Sequence, residues 1–155
     1  MMMAEATNHY FKHLGVSDGL SQVCIPSIYQ DELGAVWLGT TEGLNRYNGK
    51  DVKVFQPSES NHGLTNNEIN ELCGDKSGRM YIRSGNDLIK LDIYTEQFTC
   101  LRQKGVFGLF CKKDTLWVSC ADGIYYYTGQ GTELTFFARC LLYTSDAADE
   151  ARSGD

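Results

Sequence analysis

Short apolar runs separated by turn-forming residues recur along most of the chain. The clearest set occupies residues 25–30, 36–40, 44–47 and 52–55. In the last run the even-numbered positions carry valine on one face of an extended strand, and Lys53 and Phe55 fall on the other face. An alternation with a period of two is typical of β-strands, so the pattern predicts four short strands in this part of the chain.

Turn residues join these predicted strands. Asp31 opens and Gly34 closes the first connection, which suits a type I turn followed by a bulge. Asn48-Gly49 predicts a type I′ hairpin, in which both central residues have positive φ. Connections this short join antiparallel neighbours, so the strands are predicted to follow one another as a meander.

The whole set of strands repeats after 44 residues. The matched residues are Phe11 with Phe55, Gly19 with Gly63, Ile25 with Ile69, Asp31 with Asp75, Gly34 with Gly78, Trp37 with Tyr81 and Leu44 with Leu88. A third copy is more diverged. It places Trp117 only 36 residues after Tyr81, which predicts the loss of about one hairpin turn and a strand end.

Four strands in about 40–45 residues is the size of one β-propeller blade. We therefore predict an all-β fold. It is a partial β-propeller of about three four-stranded antiparallel blades that belong to a larger multi-blade ring. Helices are not expected, because apolar residues do not recur at three- and four-residue spacing and 16 glycines would weaken them.

Composition excludes two classes of partner. The 155 residues carry a net charge of −6 and a pI near 5.0, so no nucleic-acid partner is expected. No apolar run approaches the roughly 18 residues that a membrane span requires.

The six cysteines form no CxxC pair, and the chain has only three histidines. We therefore expect no metal site and no cofactor. Four cysteines fall within apolar runs and are interpreted as small buried side chains rather than as a disulfide framework. These four are Cys24, Cys73, Cys111 and Cys120.

The chain divides into three parts. Residues 1–10 form a lead-in that lacks the charged leader and apolar core of a signal peptide. Residues 11–139 contain the blades, which are too few to complete a ring. Residues 140–155 leave the repeat pattern. Their first eleven residues resemble a translation of the transposon-end adapter used in sequencing libraries, so we interpret the tail as non-native. We expect the natural chain to begin upstream and to continue past Arg139.

Residues 28–47 read Ile-Tyr-Gln-Asp-x-x-Gly-x-Val-Trp-Leu-Gly-Thr-x-x-Gly-Leu-x-Arg-Tyr. This unit resembles the two-component regulator propeller repeat. The resemblance covers about residues 11–127 and is closest in the first unit. In the second unit Arg83 and Asp87 stand where the first has Gly39 and Gly43, and the third unit lacks the Asp-x-x-Gly turn.

The resemblance implies the extracytoplasmic, periplasmic sensor part of a hybrid two-component system that detects an oligosaccharide. It also implies further blades, a histidine kinase and an AraC-type transcription regulator downstream, and a homodimer in the full-length protein. None of these output domains lies in this chain. The chain itself is therefore not expected to be an enzyme.

Topology restricts where a ligand would bind, because successive turns of a meander alternate between the two ends of a blade. The segments leading into each first strand should share an end with the second turn of each blade. Loops held on a rigid scaffold commonly carry binding residues. The predicted ligand-binding residues at this end are Thr41, Glu42, Asn66, Asn67, Glu68, Asn86 and Asp122.

Two other functions stay open at this point. One is a propeller scaffold that binds another protein, and the other is a fragment of a propeller enzyme such as a lyase or a glycosidase-like protein. An enzyme would need a convergent acid and base, and no carboxylate pair recurs in the repeat. The recurring aromatic residues Trp37, Tyr81 and Trp117 are interpreted as core between blades. Three blades in an open arc would leave two faces bare, which predicts weak stability or self-association.

Overall fold

A computed structural model describes residues 10–59 and 63–139, which form three four-stranded antiparallel sheets after a short 3-10 helix at Val16–Asp18. The first sheet contains β1 (Ser27–Gln30), β2 (Val36–Thr40), β3 (Gly43–Tyr47) and β4 (Val52–Phe55). The second contains β5 (Ile69–Gly74), β6 (Arg79–Ser84), β7 (Asp87–Asp92) and β8 (Gln97–Arg102). The third contains β9 (Val106–Lys112), β10 (Thr115–Cys120), β11 (Gly123–Tyr127) and β12 (Thr135–Ala138). The tail at 140–155 and most of the lead-in lie outside the described residues.

Each sheet is a meander in which consecutive strands pair, as predicted for propeller blades. Strands β2 and β4 have the predicted bounds. Strand β1 begins at Ser27, two residues later than predicted, directly after Pro26. Proline has no N–H to contribute to the ladder, which explains the later start.

The third blade corrects one prediction. It was expected to have lost a hairpin turn and a strand end, but it retains four strands. Much of the shortening lies between blades, because residues 103–105 alone connect β8 to β9, whereas residues 56–68 connect β4 to β5. As expected, the third blade lacks the Asp-x-x-Gly turn, and Lys113 and Asp114 close its first hairpin.

The Asp31 carboxylate links the first turn of the blade to the aromatic residue six positions later in the sequence. Its Oδ1 accepts hydrogen bonds from the backbone N–H groups of Leu33 (3.0 Å) and Ala35 (2.9 Å). Its Oδ2 accepts one from Trp37 Nε1 at 2.8 Å. In the second blade Asp75 accepts hydrogen bonds from Ser77 N (2.9 Å), Arg79 Nε (2.6 Å) and Tyr81 OH (3.4 Å). The carboxylate therefore fixes the turn and the aromatic side chain together.

The Asn48-Gly49 hairpin forms, but its predicted turn type is wrong. The ladder ends at the Tyr47–Val52 pair, which leaves four residues in the loop, and only Gly49 of the two has positive φ, at 96°. Asn48 Oδ1 accepts hydrogen bonds from the N–H groups of Lys50 (2.9 Å) and Asp51 (2.7 Å). The asparagine side chain thus satisfies the loop donors locally, as in an Asx turn.

Neighbouring blades pack face to face through two apolar clusters. The first cluster joins blades one and two and contains Trp37 together with Ile69 and Met80. The second joins blades two and three around Tyr81, Leu116 and Tyr127. The first strands of neighbouring blades contact one another, β1 with β5 and β5 with β9. The predicted core role of Trp37 and Tyr81 is confirmed, since both are fully buried.

Trp117 departs from the same prediction. It lies on the face of the third blade that no other described sheet covers, with its ring 5.7 Å from that of Tyr126 and 5.0 Å from that of Phe137. We call this surface the open face. Its residues are Phe110, Trp117, Ile124, Tyr126 and Phe137.

The cysteine prediction also needs correction. Cys24 is exposed and lies outside any strand, whereas Cys120 is buried as predicted. Cys73 and Cys111 lie on β5 and β9 and are partly buried.

Candidate ligand-binding face

In the second blade the segment leading into β5 lies against the turn between β6 and β7. The Gly85 N–H donates to the Glu68 carbonyl at 2.7 Å. Ser84 Oγ accepts from the Asn66 N–H (3.1 Å) and donates to the Asn66 carbonyl (2.8 Å). The predicted sharing of one end by these two loops is confirmed here. We call this end of the blades the turn face.

The first blade has the same arrangement. Ser21 lies in the segment leading into β1, and its Oγ is 2.8 Å from Thr40 Oγ1 at the end of β2. Its N–H donates to Asn45 Oδ1 at 2.9 Å. Beside them the turn of Thr41 and Glu42 is exposed, and the Glu42 carbonyl accepts a hydrogen bond from Gln56 Nε2 at 2.8 Å.

The turn face continues into the third blade through backbone hydrogen bonds. The Val106 N–H donates to the Asn86 carbonyl at 3.1 Å, and the Ala121 N–H donates to the Gly105 carbonyl at 2.8 Å. Asp87 strengthens this link, because its Oδ1 accepts from the Lys104 N–H at 2.7 Å. Hydrogen bonds therefore hold the connection at residues 103–105 against both the second and the third blade.

All seven residues predicted to bind ligand are exposed at the turn face. The structure brings Asn66 and Glu68 into contact with the turn that contains Asn86, while Asp122 lies in the corresponding turn of the third blade. The full set is Thr41, Glu42, Asn66, Asn67, Glu68, Asn86 and Asp122. Their role in binding stays a prediction.

Asp122 is the predicted residue with the most developed surroundings. Its Oδ1 accepts from Arg102 at 2.8 Å, and its Oδ2 accepts from Tyr125 OH at 2.7 Å. The hydrogen bond from Tyr125, helped by the positive charge of Arg102, lowers the pKa of the Asp122 carboxyl. The Arg102 guanidinium lies 4.7 Å from the centre of the Tyr125 ring, within cation–π range.

Two clefts flank Tyr125. One, of about 580 Å³, is lined by Asp122, Tyr125, Phe136 and Arg139. The other, of about 310 Å³, is lined by Arg102, Tyr125, Thr132 and Glu133. An aromatic ring between charged groups can stack on an apolar ligand surface while the charged groups accept and donate hydrogen bonds.

Sequence reasoning missed Arg102, Tyr125 and Phe136. Arg102 and Phe136 lie on strands that pair with β7 and β11, and only pairing and blade packing bring them beside Asp122. One signal was present for Tyr125. In the run Tyr125-Tyr126-Tyr127 the strand alternation sends the middle ring to the opposite face from the other two.

Within residues 10–59 and 63–139, no group of three or more His, Cys, Asp or Glu side chains is placed to hold a metal ion. No helix in the same ranges is long and apolar enough to cross a bilayer.

Comparison with known proteins gives three informative similarities. Over 55 residues the chain is 38% identical to histidine kinase P4 of Formosa agariphila. These 55 residues are 36% of this chain and 4% of that protein. The chain shares 26% identity with the extracellular domain of the proposed hybrid two component system BT3049 from B. thetaiotaomicron. The TM-score is 0.68, and the match covers 81% of this chain and 20% of that one. The extracellular domain of BT4673 from the same organism, a proposed one component system, shares the fold at 18% identity and a TM-score of 0.68, over 82% of this chain and 18% of that one.

The chain thus spans about a fifth of the solved extracellular domains that it resembles. The similarity is to extracellular domains of signalling proteins and to a histidine kinase. The family model described as two component regulator propeller matches residues 19–42, from the segment before β1 to the turn after β2. Residues 19–42 thus match a two component regulator propeller repeat, at the start of the first of the three described blades.

Proposed function

We propose that this chain is part of the extracytoplasmic sensor region of a two-component signalling protein. The observation that carries the proposal is the 26% identity to the extracellular domain of a proposed hybrid two component system, over 81% of this chain, together with the matched repeat at residues 19–42. The family consists of regulator propellers rather than catalytic domains, so the role proposed for these blades is binding.

The proposed ligand is an oligosaccharide. Exposed amide, hydroxyl and carboxylate groups at the turn face suit sugar hydroxyls, which both donate and accept hydrogen bonds. Tyr125 adds a ring flanked by two clefts, and Asp122 and Arg102 add charged partners next to that ring. This combination of one aromatic surface and convergent polar groups is typical of a small-molecule site.

The remaining parts of the proposal concern the rest of the protein. Further blades would close the ring, and a histidine kinase beyond them would read the occupancy of the sensor and control transcription. We place the sensor in the periplasm and expect the full-length protein to act as a homodimer.

Long-read sequencing of the source DNA across the Arg139 codon tests the architecture. We expect the reading frame to continue into further repeats, a membrane helix and histidine kinase motifs. A natural frame that encodes residues 140–155 and then stops would overturn the sensor proposal.

Binding is then measured by calorimetry on the complete sensor region, using a panel of defined neutral and acidic oligosaccharides. For a sugar that binds, Asp122→Ala should weaken affinity about 10- to 100-fold, because it removes the acceptor of a charge-assisted hydrogen bond. Lys50→Ala is the matched control, since Lys50 is an exposed residue in the turn between β3 and β4, at the other end of the blade. Equal effects of the two substitutions would contradict a ligand site at the turn face.

A further inference from the structure

Two cysteine sulfur atoms meet between the second and third blades. Cys73 Sγ lies 2.9 Å from Cys111 Sγ. That distance is longer than the roughly 2.05 Å of a disulfide bond, but it is short for two sulfur atoms that are merely in contact. The two residues are 38 positions apart in sequence and belong to different sheets.

The pair occupies a position that the repeat creates. Tyr29 stands opposite Trp37 in the first blade, and Cys73 stands opposite Tyr81 in the second. Cys73 therefore occupies in β5 the place that Tyr29 occupies in β1.

Its partner follows the same correspondence. Gly74 pairs with Met80, one residue before Tyr81, and Cys111 pairs with Leu116, one residue before Trp117. At the first interface the Tyr29 hydroxyl lies against Gly74 and leaves no room for a Cβ atom there. At the second interface the two cysteines meet at the equivalent point.

We propose that Cys73 and Cys111 form a disulfide bond that links the first strands of neighbouring blades. The geometry that carries this inference is the meeting of two thiols on β5 and β9, two strands of neighbouring blades that contact each other. The inference does not depend on what the protein senses.

The oxidant is a disulfide compound such as oxidised glutathione or a thiol–disulfide oxidoreductase. One cysteine thiolate attacks a sulfur of the oxidant, forms a mixed disulfide and releases one thiol of the oxidant. The second cysteine then loses its proton to solvent and attacks the mixed disulfide, which closes the Cys73–Cys111 bond and releases the second thiol. Two protein thiols are oxidised, and one disulfide is reduced to two thiols.

The surroundings of Cys73 disfavour its thiolate. Its hydrogen bond with Cys111, burial, and the nearby carboxylates of Glu71 and Asp75 raise the pKa of the Cys73 thiol.

The experiment uses the full 155-residue chain, incubated in native buffer with oxidised glutathione and then digested with trypsin without reduction. Cleavage places Cys73 in the peptide of residues 54–76 and Cys111 in the peptide of residues 105–112, each with a single cysteine. We expect mass spectrometry to find these two peptides linked, and thiol titration to show the loss of two thiols per chain. Free thiols at both positions, or pairing of either residue mainly with Cys24, would overturn the proposal.

Cys73→Ser and Cys111→Ser should each abolish the linked peptide. Cys100→Ser is the matched control and should retain it, since Cys100 is also partly buried in a strand of the second blade. Oxidation in concentrated guanidinium chloride provides a control in which the chain is unfolded. In that buffer the disulfide between peptides 54–76 and 105–112 should be no more abundant than other cysteine pairings. An equal yield of this link in native and denaturing buffer would show that the folded geometry does not select the pair.

Discussion

Asp31 shows how much one side chain can decide at the scale of a residue. It is 4% exposed, yet its carboxylate accepts three hydrogen bonds, two from the turn backbone and one from the Trp37 indole. A buried carboxylate is tolerated when hydrogen-bond donors compensate for its lost hydration. The spacing of six residues between aspartate and aromatic residue, repeated as Asp75 and Tyr81, therefore serves the same structural role in the first two blades.

Asp31→Ala should lower the free energy of unfolding by about 2–4 kcal/mol, because it leaves buried donors without an acceptor. Asp114→Ala is the control. Asp114 lies in the equivalent hairpin of the third blade but is exposed, so its loss should change stability by less than about 0.5 kcal/mol. Urea denaturation followed by tryptophan fluorescence compares the two variants. Equal stability would contradict the role assigned to Asp31.

Ionisation of the Tyr29 hydroxyl is expected to lower the free energy of unfolding in alkaline solution. Burial, with a further contribution from the Glu32 carboxylate, raises the pKa of Tyr29 from 10.0 to about 12. The unfolded chain therefore releases this proton before the folded chain does. Its stabilising contribution is complete below pH 10 and is lost progressively as the pH rises from about 10 to about 12.

Tyr29→Phe removes the titrating hydroxyl and should reduce the alkaline loss of stability. Urea midpoints measured between pH 8 and 12 test this, with Tyr94→Phe as the control, because Tyr94 is 63% exposed. If the urea midpoints of Tyr29→Phe and of the unmodified chain depend on pH in the same way, Tyr29 is not the group responsible for the alkaline loss of stability.

At the scale of the element, the two blade interfaces are built differently. At the first, Gly39 on β2 lies directly against Ile69 on β5. At the second, Arg83 occupies the place equivalent to Gly39, and its Nε donates to Glu71 at 3.2 Å. Glu71 in turn accepts a hydrogen bond from the Leu109 N–H of β9 at 3.2 Å. The departure of Arg83 from the repeat thus coincides with a polar bridge between blades two and three.

Gly39→Ala should separate β2 from β5. A Cβ atom there would lie 2.8 Å from Ile69 Cγ2 and 3.1 Å from the Ile69 carbonyl oxygen, so we expect a destabilisation of roughly 1–3 kcal/mol.

Gly108→Ala provides the matched control, since the added Cβ would meet only the exposed Ser119 hydroxyl within 4 Å, which can rotate away. Thermal unfolding followed by circular dichroism measures both variants. If they are equally stable, close packing at Gly39 is not required.

At the scale of the whole molecule, the two outward faces of the three blades differ. The segment before β1 covers part of the first blade, where Leu20 is 3% exposed and Ser21 contacts Thr40 and Asn45. The open face of the third blade has aromatic side chains and no described sheet against it. Blades bury such faces against neighbours, so the uncovered surface favours association of the chain with other apolar surfaces.

We expect this chain to self-associate in a concentration-dependent way, and Phe137→Lys to weaken the association by placing a charge on the open face. Leu33→Lys is the control, because Leu33 is 56% exposed in a turn away from that face. Sedimentation velocity over a range of concentrations measures the effect. A chain that stays monomeric at high concentration would contradict the prediction.

The sequence by itself determined the strands, the Asp-x-x-Gly turns and the division into blades. These features depend on local physics, namely a period-two pattern, turn residues with defined conformations and a repeat of fixed length. The same topology also placed the seven predicted binding residues at one end of the blades. Their surroundings were not predictable, because Arg102 and Tyr125 reach Asp122 only through the pairing and packing of strands.

Only the tertiary structure decided which residues meet between blades. Tyr29 against Gly74 and Cys73 against Cys111 lie at corresponding positions of two interfaces, but each pair joins sheets that are distant in sequence. Local pattern indicated that cysteines in apolar runs are buried hydrophobic residues, and it could not pair two of them. Such pairing depends on the register of each sheet and on the distance between neighbouring faces, and both are fixed only when the blades pack.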